Sequence, residues 1–310
     1  MNSNAQQWCV GLVGYGEVGR ILAEDLRAQG VRVIAYDLKL DSANTAAPMQ
    51  AHAERHGVAL ATSAATLAAQ ADLIISAVTA SQDEAVAQAC AVTIQAGVFF
   101  LDFNSASPSA KGRAAAQVDA AVGRYVEGAV MTTLPPYRIK VPLLLGGPHA
   151  AALLPHLTAL GFAAKVASLK LGTASATKMC RSIMIKGLEA MIIEAFTTAR
   201  AYGVEDEVLA SLHETYPGID WEEQGAYLFQ RVIEHGRRRS EEVREVAETV
   251  RDIGLQPLSA SGTAERQAWM ADLADAGVFG PRGSAEFARS SDWRLEADRL
   301  LAHLQSQRSK

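Results

Sequence analysis

The sequence predicts a doubly wound α/β domain over residues 1–168, with a mostly parallel sheet, followed by an all-helical domain over residues 169–310. Two observations predict this division. Up to about residue 168, short apolar runs alternate with alanine-rich segments of helical length, which is typical of a parallel sheet covered by helices on both faces. Beyond that point no strand-like run returns, and Gly or Pro residues separate long helical segments.

The first strand, turn and helix form a dinucleotide-binding pattern. An apolar run leads into Gly14-x-Gly16-x-x-Gly19, an amphipathic helix follows, and a second apolar run closes on Asp37. Gly14 permits the tight turn, Gly16 lets the backbone approach a pyrophosphate at the helix N-terminus, and Gly19 allows close packing. Asp37 can accept hydrogen bonds from the ribose hydroxyls, and its charge disfavours a 2′-phosphate. The pattern therefore predicts a Rossmann domain that binds NAD rather than NADP.

The later elements complete the two domains. Strands are predicted at 73–78, 98–102, 125–130, 141–145 and 163–167, the last two as a mixed extension of the sheet because prolines interrupt that stretch. Helices are predicted at 79–95, 106–122, 173–201, 205–214, 221–235, 238–253, 264–275 and 284–307. The charge run 235–245 is predicted to be a solvated, ion-paired helix start.

Composition excludes several function classes. The net charge is −5 without a basic patch, which argues against nucleic acid as a partner. Three scattered cysteines indicate a reducing compartment without disulfides or zinc, and the seven histidines are expected to make no metal cluster, His56 among them being a surface residue. The N-terminus carries no signal-peptide pattern, and no apolar stretch reaches the ~20 residues that cross a bilayer. We expect a soluble cytoplasmic protein without membrane partners.

Candidate site residues lie at the predicted strand ends and on the long helix. In open α/β sheets, ligands bind at the carboxyl ends of the strands, although Ser and Thr are also common there for structural reasons. On the helix, Ser175, Lys178, Ser182 and Lys186 form a narrow polar stripe without acids, which is typical of one wall of a cleft. Lys178 could exchange a proton with a substrate oxygen, or its side chain could simply extend to solvent.

The order of these motifs resembles that of the β-hydroxyacid dehydrogenases, the family of 3-hydroxyisobutyrate dehydrogenase, which is related to 6-phosphogluconate dehydrogenase. The resemblance rests on the glycine-rich segment 11–19, on Asp102-Phe-Asn104-Ser105-Ala-Ser-Pro108, and on Gly172 followed by Lys178. It implies that Lys178 is the general acid/base and that the helical domains pair into a homodimer. The C-terminal half looks like a branch whose helical domain has no assigned role.

The sequence departs from the family pattern around the substrate. The family loop Asp-Ala-Pro-Val-Ser-Gly-Gly corresponds here to Glu127 through Thr133, so its serine and glycines are replaced. The asparagine that usually partners the catalytic lysine is Ser182, and a later family lysine falls on Glu241, with Arg238 one turn earlier as a substitute. These departures imply a substrate other than the usual small 3-hydroxy acid.

We therefore predict an NAD-dependent oxidoreductase that acts on a CH–OH group of a small anionic or polar substrate. The predicted cofactor contacts are Gly14, Tyr15, Gly16, Glu17, Val18, Gly19, Asp37, Val78, Thr79, Asn104 and Ser105. The predicted substrate contacts are Ser105, Met131, Thr132, Thr133, Ser182, Lys186 and Arg238. An imine or semialdehyde reductase on the same fold and a non-catalytic dinucleotide sensor are the alternatives.

Overall fold

A computed structural model describes residues 5–308 and divides the chain into two compact units after Met179. In the first unit, eight strands form one sheet: β1 (Cys9–Val13), β2 (Arg32–Tyr36), β3 (Ala59–Leu60), β4 (Leu73–Ser76), β5 (Phe99–Asp102), β6 (Arg124–Val130), β7 (Leu143–Gly146) and β8 (Ala164–Ser168). Its helices are α1 (Glu17–Ala28), α2 (Ala43–His56), α3 (Ala64–Ala68), α4 (Asp83–Ala91), α5 (Pro108–Ala120) and α6 (Ala150–Ala159).

The sheet has the strand order β3-β2-β1-β4-β5-β6-β7-β8. All neighbouring pairs are parallel except β6 and β7, so the predicted fold class and its mixed extension are confirmed. The chain reverses its direction of winding between β1 and β4, which is where doubly wound sheets open a crevice at the strand ends. Side chains alternate along the buried strands into two hydrophobic cores, one on each face of the sheet.

The remaining helices are α7 (Thr173–Tyr202), which runs across the division, and α8 (Glu205–Thr215), α9 (Trp221–Arg251), α10 (Leu258–Asp275) and α11 (Trp293–Arg308). The core of the second unit contains Phe196, Phe229 and Trp293, all nearly fully buried. None of the helices that the structure describes has both the length and the apolar character needed to span a membrane.

The prediction of two helices over 221–253 is wrong, because α9 continues through Gly236. A Cβ at Gly236 would lie 2.7 Å from the Gln267 carbonyl oxygen on α10, so this glycine permits close helix packing instead of ending a helix. The prediction of a solvated helix start is wrong for the same segment. It lies within α9, and Arg239 is buried against Glu189 of α7.

The last helix begins nine residues later than the predicted Ser284. Gly280, Gly283 and Ala288 have positive φ, which keeps the segment before it out of a helix. The Asp292 side chain then accepts a hydrogen bond from the Arg294 N–H (2.9 Å) in the first turn of α11. A capping aspartate, and not the more distant serine, therefore fixes the start of this helix.

Candidate functional site

The glycine-rich turn between β1 and α1 is shaped to hold an anion. Gly14 has φ +95°, and a side chain at Gly14 or Gly19 would collide with the carbonyl oxygen of Ala77 or Gly14, respectively. At Gly16, in contrast, no atom lies within 4 Å of the place where a Cβ would stand. Gly16 is also the N-cap of α1, and no side chain caps the helix there. The backbone N–H groups and the open space fit the pyrophosphate of a dinucleotide.

Asp37 lies beside this turn at the end of β2. Its Oδ2 accepts a hydrogen bond from the Tyr15 N–H (2.8 Å), and its Oδ1 accepts one from the Lys39 N–H (2.9 Å). Two backbone bonds therefore fix the carboxylate, and each oxygen keeps a lone pair for a ribose hydroxyl. The Tyr15 side chain is fully buried and its hydroxyl lies 2.8 Å from His52 Nδ1, so Tyr15 offers the turn only its backbone.

Asn104 ties together the ends of β4 and β5. Its Oδ1 accepts a hydrogen bond from the Val78 N–H (2.7 Å), and its Nδ2 donates to Ser76 Oγ (2.9 Å) and to Asp83 Oδ1 (2.6 Å). The side chain is only 3% exposed. Asn104 and Val78, both predicted cofactor contacts, therefore bond to each other through side chain and backbone. Thr79, the next predicted contact, is exposed, as is Glu17, whereas Val18 is half-buried.

Beneath Asn104 lies a cluster of buried charges. Lys111 Nζ lies 2.8 Å from Asp102 Oδ1 and donates to the Asp102 carbonyl oxygen, while the Tyr125 hydroxyl donates to Asp102 Oδ2 (2.5 Å). Burial, reinforced by the Asp102 carboxylate, raises the pKa of Asp83 to about 8. Asp83 is therefore mainly protonated at neutral pH, so Asp102 is the member of this carboxyl pair that carries the negative charge.

Lys178 meets Ser105 in the first unit. Its Nζ donates a hydrogen bond to Ser105 Oγ (2.7 Å), and both residues are half-buried. Ser105 directly follows the Asn104 anchor at the end of β5. The structure thus brings together the predicted acid/base and one of the small hydroxyl side chains that the sequence placed at the strand ends.

Glu127 anchors the start of the helix that carries Lys178. Its carboxylate accepts hydrogen bonds from the Ala174 N–H (3.0 Å), the Ser175 N–H (3.3 Å) and the Ser175 hydroxyl (2.7 Å). Glu127 is fully buried, and Gly146 opposite it on β7 leaves the room that its side chain occupies. A buried carboxylate at a helix N-terminus is stabilised by the helix dipole. The contact sets the position of Lys178 one turn further along.

The remaining predicted substrate residues fall into two groups. Met131, Thr132 and Thr133 follow β6; Met131 N–H donates to the Pro142 carbonyl oxygen (3.0 Å), and both threonines are exposed. In the second unit Ser182 and Lys186 are buried, with exposed fractions of 8% and 7%.

Lys186 and Arg238 meet on one carboxylate. Lys186 Nζ donates to Glu242 Oε2 (2.6 Å), and Arg238 Nη1 donates to Glu242 Oε1 (2.7 Å). Burial lowers the pKa of Lys186, while Glu242 acts in the opposite direction. Both cationic side chains that the sequence predicts to bind the substrate therefore pair with the Glu242 carboxylate.

Comparison with known proteins agrees with this geometry. Residues 9–133 match the family model of the NAD binding domain of 6-phosphogluconate dehydrogenase, and residues 199–270 match a domain of unknown function, DUF1932. A conserved hypothetical protein from Sinorhizobium meliloti is 33% identical over 96% of this chain and 97% of its own, with a TM-score of 0.75. The chain belongs to the same family. Its N-terminal domain is thus of the 6-phosphogluconate dehydrogenase type, which supports a nicotinamide dinucleotide as the cofactor.

Two further structures show the breadth of this fold. A conserved protein of unknown function, described as structurally similar to 3-hydroxyacid dehydrogenases, is 27% identical over 86% of this chain and 98% of its own, with a TM-score of 0.67. The 3-hydroxyisobutyrate dehydrogenase of Mycobacterium tuberculosis is 16% identical over 95% of this chain and 99% of its own, with a TM-score of 0.68. The second likeness shows the fold alone.

Sequence reasoning missed the buried charges that support this NAD-binding domain. The motifs point to neither Glu127 nor Asp83 as a structural anchor, nor to Lys111 within its alanine-rich helix. The signal was present for Glu127, because an acid inside an apolar strand run requires a buried partner. Lys111 and Asp83 carry no such local signal, since both lie in helical segments of ordinary composition.

Proposed function

We propose that the protein is a nicotinamide-dependent oxidoreductase that interconverts a hydroxyl-bearing carbon and its carbonyl form, with Lys178 as general acid/base. The observation that carries this proposal is the hydrogen bond of 2.7 Å between Lys178 Nζ and Ser105 Oγ. It lies in a domain whose glycine-rich turn fits a dinucleotide. Since ligands bind at the strand ends of such sheets, a lysine of α7 that bonds to Ser105, just after β5, is suitably placed for proton transfer to a bound substrate.

The bound cofactor would supply or accept the hydride. The residues of this chain would handle the proton and the position of the substrate. In the reductive direction the Lys178 ammonium would donate a proton to the substrate oxygen, and in the oxidative direction the neutral amine would take it back. Ser105 would hold the Nζ in place through its hydroxyl, and Glu127 would fix the helix that carries the lysine. A positioned acid/base of this kind contributes roughly 10²–10⁴-fold to the rate.

The preference for NAD over NADP is part of the proposal. Asp37 is held beside Tyr15 by a backbone hydrogen bond, so its charge would face the adenosine ribose. A 2′-phosphate there would meet a carboxylate, which favours the cofactor without that phosphate. Comparing the affinities of NADH and NADPH by their fluorescence tests this: tighter binding of NADPH would refute the preference.

For the substrate we propose a small anionic or polar molecule. Ser105, Met131, Thr132 and Thr133 of the first unit, which lie at or after the ends of β5 and β6, would bind it. We also propose a homodimer formed through the helical domain. Exposed apolar residues on α7, Met184 and Met191, support it because large apolar side chains favour contact surfaces. Light scattering after gel filtration should give a mass of two chains for the wild type and a mass of one chain for Met191→Asp.

Turnover assays with a panel of hydroxy acids, aldehydes and imines test the catalytic role. We expect turnover of at least one hydroxy acid or aldehyde, monitored by the absorbance of the reduced nicotinamide. Lys178→Ala should lower kcat by about 10²-fold or more. Lys170→Ala, which removes an exposed lysine just before α7, is the matched control and should retain full activity.

The other outcomes separate the alternatives. Reduction of imines alone, with Lys178→Ala still active, would favour an imine reductase. Tight binding of the dinucleotide without turnover of any member of the panel would favour a sensor. Full activity of Lys178→Ala on a hydroxy acid would contradict the proposed acid/base.

A further inference from the structure

Two histidines and a glutamate come together between α1 and α2, away from the strand ends. Glu24 lies on α1, and His52 and His56 lie on α2. Their potential ligand atoms all fall within 4.8 Å of one another. The structure thus brings two of the scattered histidines together with a carboxylate. A spacing of four residues puts His52 and His56 on one helix face, and the neighbouring helix adds the carboxylate.

The geometry of the three side chains is close to that of a chelating site. The His52 and His56 rings stack with centroids 4.5 Å apart and planes inclined by 28°. His52 Nε2 lies 3.0 Å from Glu24 Oε1. A metal ion about 2.0–2.2 Å from each of its tetrahedral ligands needs ligand atoms roughly 3.3–3.6 Å apart, so the His52–Glu24 pair must open slightly to admit it.

Neighbouring residues already orient two of these ligands. Arg138 Nη2 donates to Glu24 Oε2 (2.6 Å), which leaves Oε1 directed at the histidine. The Tyr15 hydroxyl lies 2.8 Å from His52 Nδ1, so Nε2 is the ring atom that faces the carboxylate. Metal-binding histidines usually have their second nitrogen hydrogen-bonded in this way, and ligating carboxylates are likewise held by a partner.

We propose that Glu24, His52 and His56 bind one divalent first-row transition-metal ion, with Zn²⁺ as the representative. Two imidazoles and one carboxylate are a donor set that suits Zn²⁺, Co²⁺ or Ni²⁺ and not the all-oxygen shell of Mg²⁺ or Ca²⁺. All three side chains are half-buried, so a water molecule can complete the coordination. On binding, the neutral His52 ring takes the tautomer that carries its proton on Nδ1, which frees the Nε2 lone pair for the ion and lets Nδ1–H donate to the Tyr15 hydroxyl oxygen.

Such an ion would link α1 to α2 directly behind the dinucleotide turn. Tyr15 belongs to that turn, and its hydroxyl contacts the ring that would hold the ion. Arg138, which holds Glu24, also donates to Asp25 Oδ1 (2.8 Å) and belongs to the segment after β6. The ion would therefore stabilise the arrangement of α1, α2 and this segment. It would take no part in the proposed proton transfer, and its test does not depend on activity.

Titration of the full-length protein, freed of metal and of any affinity tag, with Co²⁺ and Zn²⁺ tests the proposal. We expect one saturable site per chain, visible d–d absorption of Co²⁺ that Zn²⁺ displaces, and a higher midpoint of thermal unfolding with Zn²⁺. His56→Ala removes one ligand but keeps the hydrogen bonds between Tyr15, His52 and Glu24, so this variant should fold. It should lose the Co²⁺ spectrum and the thermal shift.

His303→Ala, which removes a histidine on α11, is the matched control and should bind both ions like the wild type. Two results would overturn the proposal. One is the absence of saturable Co²⁺ or Zn²⁺ binding by the wild type. The other is binding by His56→Ala with unchanged affinity and spectrum, because the ion would then lie elsewhere.

Discussion

The glycine-rich turn leaves the start of its helix open, whereas the strand ends beside it are held by buried polar side chains. At the turn, the N-cap of α1 is a glycine without a side-chain cap, and the space above Gly16 is open. At the ends of β4 and β5, the side chains of Asn104, Asp102 and Lys111 are buried, and Asp102 Oδ1 both accepts a hydrogen bond from the Asn104 backbone N–H and lies 2.8 Å from Lys111 Nζ. The turn presents backbone groups outward, whereas the strand ends use side chains to hold the backbone.

This difference separates a turn that leaves room for a ligand from side chains that position other residues. Asn104 is a predicted cofactor contact, and its amide holds the Val78 N–H and the Asp83 carboxyl. Asn104 therefore fixes the backbone just after β4. Ser105, the next residue, is the one whose hydroxyl meets Lys178. Substitutions in the two regions should consequently affect different measurements.

The largest effect is expected for Lys111→Met. Without the ammonium group, the Asp102 carboxylate remains buried with an uncompensated charge, so the free energy of unfolding should fall by about 3–5 kcal/mol. Chemical denaturation monitored by circular dichroism measures this. Lys165→Met, on an exposed lysine of β8, should change stability little. Equal stability of Lys111→Met and wild type would show that this cluster does not hold the strand ends.

Glu127→Gln should have a smaller effect on stability. The amide group of glutamine must turn its NH₂ toward one of the donors at the start of α7, so a buried N–H or hydroxyl loses its acceptor. We expect a loss of about 2 kcal/mol in the free energy of unfolding. Glu54→Gln, on the exposed side of α2, serves as the control. An unchanged unfolding curve for Glu127→Gln would contradict the anchoring role.

Asp83 should make stability depend on pH. Its pKa is about 8 in the folded protein and near 3.8 when unfolded, so between these values the folded chain binds more protons. The free energy of unfolding should then fall as pH rises through this interval and level off above about 8. In Asp83→Asn, whose amide imitates the protonated acid, this part of the decline should be absent. Parallel pH profiles for variant and wild type would refute the assignment.

The sequence predicted the turn, the sheet and the helix with Lys178 because each has a local pattern: glycine spacing, apolar runs and a polar stripe. The buried partners escaped prediction because they are distant in the chain. Asn104 and Asp83 are separated by 21 residues, Tyr125 and Asp102 by 23, and Glu127 and Ser175 by 48. Only the folded sheet brings such groups together.

Packing also overrode a local rule at two places. Gly236 has the low helix propensity that predicted a break, but the approach of α10 to α9 requires a residue without a side chain. The arginine run around it was predicted to be solvated, yet Arg239 pairs with Glu189 inside the second unit. The four-residue spacing of His52 and His56 can be read from the sequence, whereas only the packing of α1 against α2 brings Glu24 to them.

Titration of NADH onto wild type, Gly16→Ala and Gly112→Ala tests most directly whether the open turn is the cofactor site. Neither glycine has an atom within 4 Å of its added Cβ, so both variants should fold with unchanged thermal midpoints. Gly16→Ala should bind NADH ~10-fold more weakly, a change of about 1.4 kcal/mol, because the methyl group occupies the space for the pyrophosphate. Gly112→Ala, on α5, should bind like the wild type. Equal affinity of Gly16→Ala and wild type would contradict the account.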